Sequence, residues 1–467
     1  MLKDDSSDTS VVEEVSYYIA KSGEGELPTE VVEKAKHHIL DTLAAIVTGS
    51  ELKPGQIAKK YIRSQAGAKE AQVIGTRTVT SAINSAFANG IMGHADETDD
   101  SHPRSNTHPG CGIVPAALSM SEREQSNGMN FLRGVVAGYD IGCRITQVLG
   151  VDDVHKMQRC THSIGNNFGA AVAAASVAQL ETNQVRQVLS YASDQASGID
   201  YFSRDTKHVE KAFIFGGMPA RNGVTSAILV QSGFTGIEDA FSGANNFLEA
   251  FSPSPKPQLL LEGLGSHYEI MSTNIKRFPV GSPIQAALDA LLLLINKHKI
   301  VPKDIKSIIV RLPERGAKIV NNRDMPDINL QYLLSVALLD GRLNFKAAHS
   351  YKRMNDPEVL KVKNLINLVG DPELTAAKIM RQGIVEITTK DGALLREHVV
   401  SVRGTVENPM TREEVEEKSQ DLMTPILGKD RTLELIKRIW NLEQVRNVRE
   451  LRPFLSPPKR EINVDIY

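Results

Sequence analysis

Between Gly93 and Pro115 the chain reads GHADETDDSHPRSNTHPGCGIVP, which sets His94, His102 and His108 among Asp96, Glu97, Asp99 and Asp100. Imidazole gives and takes protons near neutrality and a carboxylate can orient it, so these residue types are candidates for general acid-base work. A second set follows in RCTHSIGNNFG, Arg159 to Gly169, where His162 stands in a polar turn before an alanine-rich helix. Backbone amides at that helix start could hold an anion, whereas capping by the Ser163 to Asn167 region is the purely structural reading. Lys211 in HVEKAFIFGGMPARNG and Lys276 in NIKRFPVGSP lie beside aromatic, glycine or proline residues. Lysine in such a setting is a point-charge anchor for carboxylate or phosphate.

Other chemistries fit less well. Histidine and aspartate at this density could ligate zinc, manganese or iron, but the spacings match neither HExxH nor a His-x-His pair, so no metal is expected. No GxGxxG follows a strand and no GxxxxGK[ST] occurs. Cys111, Cys143 and Cys160 are odd in number and lack CxxC spacing, which argues against a disulfide framework or a cysteine zinc site and fits a reduced compartment. A net charge of -2, with 24% charged and 41% apolar residues, points to no nucleic-acid or membrane partner. The acidic start MLKDDSSDTS lacks the pattern of a secretory signal, and a cytoplasmic protein is expected.

The elements that must position these groups are mostly helical in the first half. TEVVEKAKHHILDTLAAIVTG repeats apolar residues at three and four, with Pro28 just before and Gly49 just after as its ends. FLRGVVAGYDIGCRITQVLG places Gly134, Gly138 and Gly142 on one stripe, which predicts close approach by another helix despite glycine's poor propensity. After about residue 266 the texture changes. IKSIIVRLP and GIVEITT read as strands, the latter turning through Lys390-Asp391-Gly392 into a partner around Leu394 to Val402. From Pro409 helix returns, with Thr411 and Glu414 spaced as a capping box. At 467 residues two or more domains are expected. The reading is a mainly α chain with an α+β part: a discontinuous all-helical domain over 1–266 and 405–467, and a smaller α+β domain over 267–404.

These segments together resemble the 2-methylcitrate dehydratase (MmgE/PrpD) family, which includes cis-aconitate decarboxylase and iminodisuccinate epimerase. HADETDDSHPRSNTHPG is similar to the family pattern HALDFDDTHPxxxxHPS without a gap, and RCTHSIGNNFGAAVAAA, EKAFIFGGMPARNG, IKRFPVGSPIQAALDA, TKDG and GTVENPMTREEVEEK follow in the family's order. The resemblance implies a lid role for the smaller domain, a homodimer, and a lyase that works without metal or organic cofactor on a small di- or tricarboxylate. An epimerase or isomerase is the alternative, and a metal hydrolase a more distant one. It assigns catalysis to His108 and His162, with Glu97 and Ser101 supporting them, and substrate binding to Lys211, Lys276 and His102.

The chain also departs from the pattern. Asp96 replaces an apolar residue, Glu97 an aspartate and Ser101 a threonine; Ala212 and Ile214 stand where arginine and histidine often follow the first lysine; Phe278 and Val280 replace a tyrosine and a cysteine; and Leu334 aligns with a site tyrosine, with Tyr332 two residues away. Lost polar groups leave a substrate's own polar groups unpaired, so poor turnover of 2-methylcitrate and cis-aconitate is expected.

Overall fold

The computed structural model describes residues 10–65, 67–377, 379 and 381–458. The acidic start, residues 1–9, lies outside them. The chain forms two compact units, the larger made of residues up to Ala95, Asp100–Thr273 and the stretch from Leu422 onward, the smaller of Asp96–Asp99 and Asn274–Asp421.

In the larger unit α1 (Thr29–Gly49), α2 (Ala82–Gly93), α3 (Gly110–Glu124), α4 (Gly128–Leu149), α5 (Thr161–Val177) and α6 (Met218–Gln231) carry the residues of interest. It is not purely helical, because Ala71–Gln72 pairs antiparallel with Val79–Thr80. The alanine content of α5 is a packing device: the whole helix is buried, and small side chains let α4 and α6 come close. The glycine stripe of α4 does the same from the other side. A Cβ on Gly138 would lie 2.7 Å from the Gly169 carbonyl oxygen, and one on Gly142 would lie 2.7 Å from that of Gly165.

The smaller unit holds a four-stranded mixed sheet and its helices. They are α7 (Gln285–His298), β1 (Ile305–Pro313), α8 (Leu330–Asp340), β2 (Ile366–Asp371), β3 (Gly383–Thr389) and β4 (Leu394–Val399). The strand order is β2-β1-β3-β4, with β1-β2 parallel and the other two pairs antiparallel. The β3-β4 hairpin turns through Gly392, whose φ of +93° only glycine adopts without cost. β2 escaped sequence reading, since its burial alternates poorly along INLVGD. Leu288, Leu291, Ile308, Val310, Leu333 and Val385 are among the buried residues of this unit's core.

The domain limits read from the sequence, 266/267 and 404/405, shift to 273/274 and 421/422. Backbone bonding explains the shift. Ile275 N–H donates to the Gly404 carbonyl at 2.9 Å, Val406 N–H donates to the Asn274 side chain at 3.1 Å, and Arg403 grips Glu414, so residues 403–414 stay with 274–275. The dividing point then falls within α9 (Arg412–Leu427), and α10 (Lys429–Trp440) packs on α1. There Lys36 Nζ donates to the Trp440 carbonyl at 2.9 Å, and the His37 ring meets the indole edge-on at 5.3 Å. No helix among the described residues is long and apolar enough to cross a membrane.

The glycine stripe gives a first prediction. Glycine to alanine in a helix ordinarily gains about 1 kcal/mol, while overpacking a filled contact costs roughly 1–3 kcal/mol. Gly142→Ala should therefore lower the urea unfolding midpoint of the chain, and a raised midpoint would show that α4 and α5 are not in close contact.

Candidate active site

The loop joining α2 to α3 begins at His94, the C-terminal cap of α2, and returns at Gly110. In the larger unit this loop is tied down by Asp100. Its carboxylate accepts from Gly110 N–H at 2.9 Å and Tyr139 Oη–H at 2.7 Å, and from His38 Nδ1 at 2.8 Å. Burial, opposed by Asp100, pushes the His38 imidazole down to about 4, so His38 is a neutral donor here. With both oxygens occupied, Asp100 is a structural residue.

His108, at the far end of the loop, faces His162 in the first turn of α5, their ring centroids 5.2 Å apart. The α5 terminus has no side-chain cap, and Ser163, Asn166 and Asn167 lie inside the helix, so the capping reading of that motif fails. Asn166 has a different task. Its Nδ2 donates to the carbonyls of His108 and Phe215, both at 2.8 Å, and so binds the loop and the segment before α6 to one helix.

That segment, Phe213–Gly217, forms a π turn, a widened helical geometry common at functional sites. It aims Phe215 into the imidazoles: the ring stacks on His162 at 3.8 Å and on His94 at 4.5 Å. A backbone contact sets the spacing, because a Cβ on Gly90 of α2 would lie 2.5 Å from the Gly216 carbonyl oxygen. His94 also neighbours His108 at 5.0 Å and His208 at 5.1 Å. His208 sits at φ +57°, a left-handed conformation that costs a non-glycine residue roughly 1 kcal/mol or more and is often found at functional positions. Three residues on, Lys211 holds its Nζ 5.2 Å from the centre of the Phe215 ring. Asp205 shapes that turn by accepting from the backbone N–H groups of Lys207, Glu210 and Lys211.

Burial, reinforced by His108, Lys211 and His94, holds the His162 pKa well below the ordinary imidazole value. His162 is thus neutral at pH 7 and able to accept a proton. Within this unit His94 brings a ligand atom within 4.8 Å of one on Cys111 and one on His208.

His102 is buried in the larger unit with Nε2 2.9 Å from Glu269 and Nδ1 accepting from Ser105 N–H at 3.1 Å, an arrangement that locks the loop and does not join the imidazole cluster. Ser101 is buried beside it in sequence. Glu97 and Lys276 belong to the smaller unit, where Lys276 Nζ donates to the Glu97 carbonyl at 2.7 Å and lies 3.6 Å from the carboxylates of Glu97 and Asp99. Arg381, pulled down to about 10 by burial, feels the Glu97 charge there and went unnoticed in the sequence. Leu334 and Tyr332 are core residues of that unit, and the Tyr332 hydroxyl donates to the Ala347 carbonyl at 2.5 Å. Ile214, by contrast, packs with Cys111, Cys160, Phe215 and Met218 beside the imidazoles.

Models of the MmgE/PrpD N-terminal domain and the MmgE/PrpD C-terminal domain match residues 13–260 and 278–442. Among curated proteins, the chain is 25% identical to a cis-aconitate decarboxylase of Homo sapiens, over 93% of this chain and 92% of that protein. It is 25% identical to the one of Mus musculus, over 92% and 90%, and 22% identical to one of Aspergillus terreus, over 97% and 98%.

Two predictions follow from this geometry. Asn166→Leu leaves two buried carbonyls without a donor, which costs about 1–3 kcal/mol each; its unfolding midpoint should fall, and proton-transfer activity with it. Activity and midpoint both at the native level would mean that the amide ties nothing together. Because His162 and His38 have folded pKa values below their unfolded 6.5, the unfolded chain takes up protons first on acidification. Their contribution is complete above about pH 6.5 and is lost as pH falls, so urea midpoints should decline from pH 7 towards pH 4. In the His38→Gln variant the decline should be shallower.

Proposed function

This chain belongs to the MmgE/PrpD family, and on that footing we propose that it is a cofactor-independent lyase acting on a small di- or tricarboxylate. The observation that carries the reading is the juxtaposition of His108, His162 and Lys211 around Phe215. Neutral His162 takes a proton from the carbon next to a substrate carboxylate, and His108, one ring away, gives a proton to the departing group as its bond to the neighbouring carbon breaks. Lys211 pairs with a substrate carboxylate and stabilises the charge that builds on it as the proton leaves. Lys276 is assigned a second carboxylate by the resemblance. Relatives named cis-aconitate decarboxylase support a lyase.

The alternative is an epimerase or isomerase, in which the same two imidazoles move a proton without loss of a group.

The test is a screen of di- and tricarboxylates in heavy water, read by mass spectrometry. A lyase changes product mass by the group lost, while an epimerase only exchanges deuterium. On the substrate so found, His108→Ala and His162→Ala should each lower kcat by roughly 100-fold or more, with His298→Ala, on the exposed end of α7, unchanged. Lys276→Met should chiefly raise KM. With Ile214 where an imidazole often stands, cis-aconitate itself should be a poor substrate, its kcat/KM below about 10⁴ M⁻¹s⁻¹, the lower edge of the usual enzyme range. Efficient turnover would show that Ile214 does not set substrate choice.

A further inference from the structure

The smaller unit contains a stretch of four residues, Asp96–Asp99, that is separated in sequence from the rest of it. Cations from distant parts of that unit hold the stretch. Lys276, before α7, donates to the Glu97 carbonyl at 2.7 Å, and Lys418, on α9, donates to the Thr98 carbonyl at 3.1 Å. His349, just after the turn of helix Phe345–Ala348, places Nε2 2.7 Å from Asp96 Oδ2. Its other nitrogen, Nδ1, donates to the Phe345 carbonyl at 2.9 Å, which leaves Nε2 as the nitrogen that faces the carboxylate. The Phe345 ring stacks on the imidazole at 4.1 Å and fixes its plane. Asp96 is bound on its own side too, by Thr98 N–H at 3.0 Å and Thr98 Oγ1 at 2.6 Å.

Asp96 stands where the family pattern carries an apolar residue, so this contact is a property of this chain. An imidazolium–carboxylate pair at such burial is weak evidence for net stability, since desolvating both charges offsets their attraction, but it specifies one geometry strongly. What it specifies is the course of the backbone one residue before Glu97. We infer that Asp96 and His349 form a positioning pair that sets the direction of Glu97, so that His349, which no sequence motif flagged, tunes the lyase proposed above.

The inference rests on that lyase reading only for its catalytic consequence; the pinning of residues 96–99 stands by itself. The titratable groups around His349 are Asp96 and Glu97 on the pinned stretch, Asp327 with Oδ2 at 4.0 Å, and Tyr351 in the short helix that follows. Burial disfavours the charged ring, yet the bond and charge of Asp96, with Asp327 behind it, raise its pKa to about 9. Burial also lifts Asp327 to about 6, against the opposing pull of His349. A raised folded pKa means that the pair is intact below the unfolded value and is lost as pH rises through about 9.

The experiment uses the full chain with His349→Gln, Asp96→Leu and the double variant Asp96→Leu/His349→Gln. Hydrogen exchange should show the amides of residues 96–99 losing protection in both single variants. With the substrate from the screen, His349→Gln should lower kcat roughly 10-fold with little change in KM, and the basic limb of the wild-type rate profile near pH 9 should be missing from it. Effects that share one pair do not add, so the double variant should be no worse than the poorer single. Unchanged protection and kcat in His349→Gln, or additive losses in the double variant, would overturn the inference. Should a variant not fold, the wild type decides: the His349 ring resonances should titrate near pH 9, and titration near 6.5 would overturn it. If no carboxylate is turned over by the wild type, the lyase reading fails, while exchange and ring titration still judge the pair.

Discussion

A single side-chain amide carries the larger unit's candidate site. Asn166 offers two N–H groups, and both go to carbonyls that belong to other segments, one at His108 and one at Phe215. The helix that holds Asn166 also holds His162, so three groups from three chain segments take their positions from one buried amide. A backbone carbonyl deprived of its partner in such a place pays the full cost of desolvation, which makes the arrangement close to all-or-none. The rest of the fold serves this arrangement. Alanines and glycines let α4, α5 and α6 pack closely enough to keep the amide dry, and Asp100 closes the loop that ends at His108.

Charge is handled differently in the two units. Around Phe215 burial and the charges of His108, Lys211 and His94 together lower the proton affinity of His162. In the smaller unit carboxylates and cations alternate along Asp96–Asp99 and its partners. The first arrangement favours an anionic ligand, since bound negative charge relieves its internal repulsion. In the second, groups of opposite sign face one another and hold the conformation of Asp96–Asp99.

The sequence made visible whatever depends on neighbours along the chain. Helix periodicity, the β3-β4 hairpin with its Asp-Gly turn, and the glycine stripe of α4 are local signals, and the structure contains each of them. His108, His162 and Lys211 were legible because they sit in short polar motifs. Asn166, Phe215, His208 and His349 were not, because their roles arise from contacts across dozens to hundreds of residues that no local pattern encodes. His102 lies in the densest motif, and Glu269, far along the chain, meets its ring in a contact that no local pattern encodes. The strand β2 was hidden for a related reason, since a parallel edge strand half covered on each face has no clean alternation to read.

The contact between α10 and α1 has a spectroscopic consequence. Trp440 is the chain's sole tryptophan, it lies in the last turn of α10, and an imidazole edge touches its ring. Indole emission from this protein is therefore a private signal of the larger unit, sensitive to whether the C-terminal chain has returned to α1 and to the protonation of His37. The smaller unit has tyrosines but no indole. Emission therefore follows the larger unit alone while far-ultraviolet dichroism follows the backbone of both, and a gap between their unfolding curves reports the smaller unit melting apart from the larger.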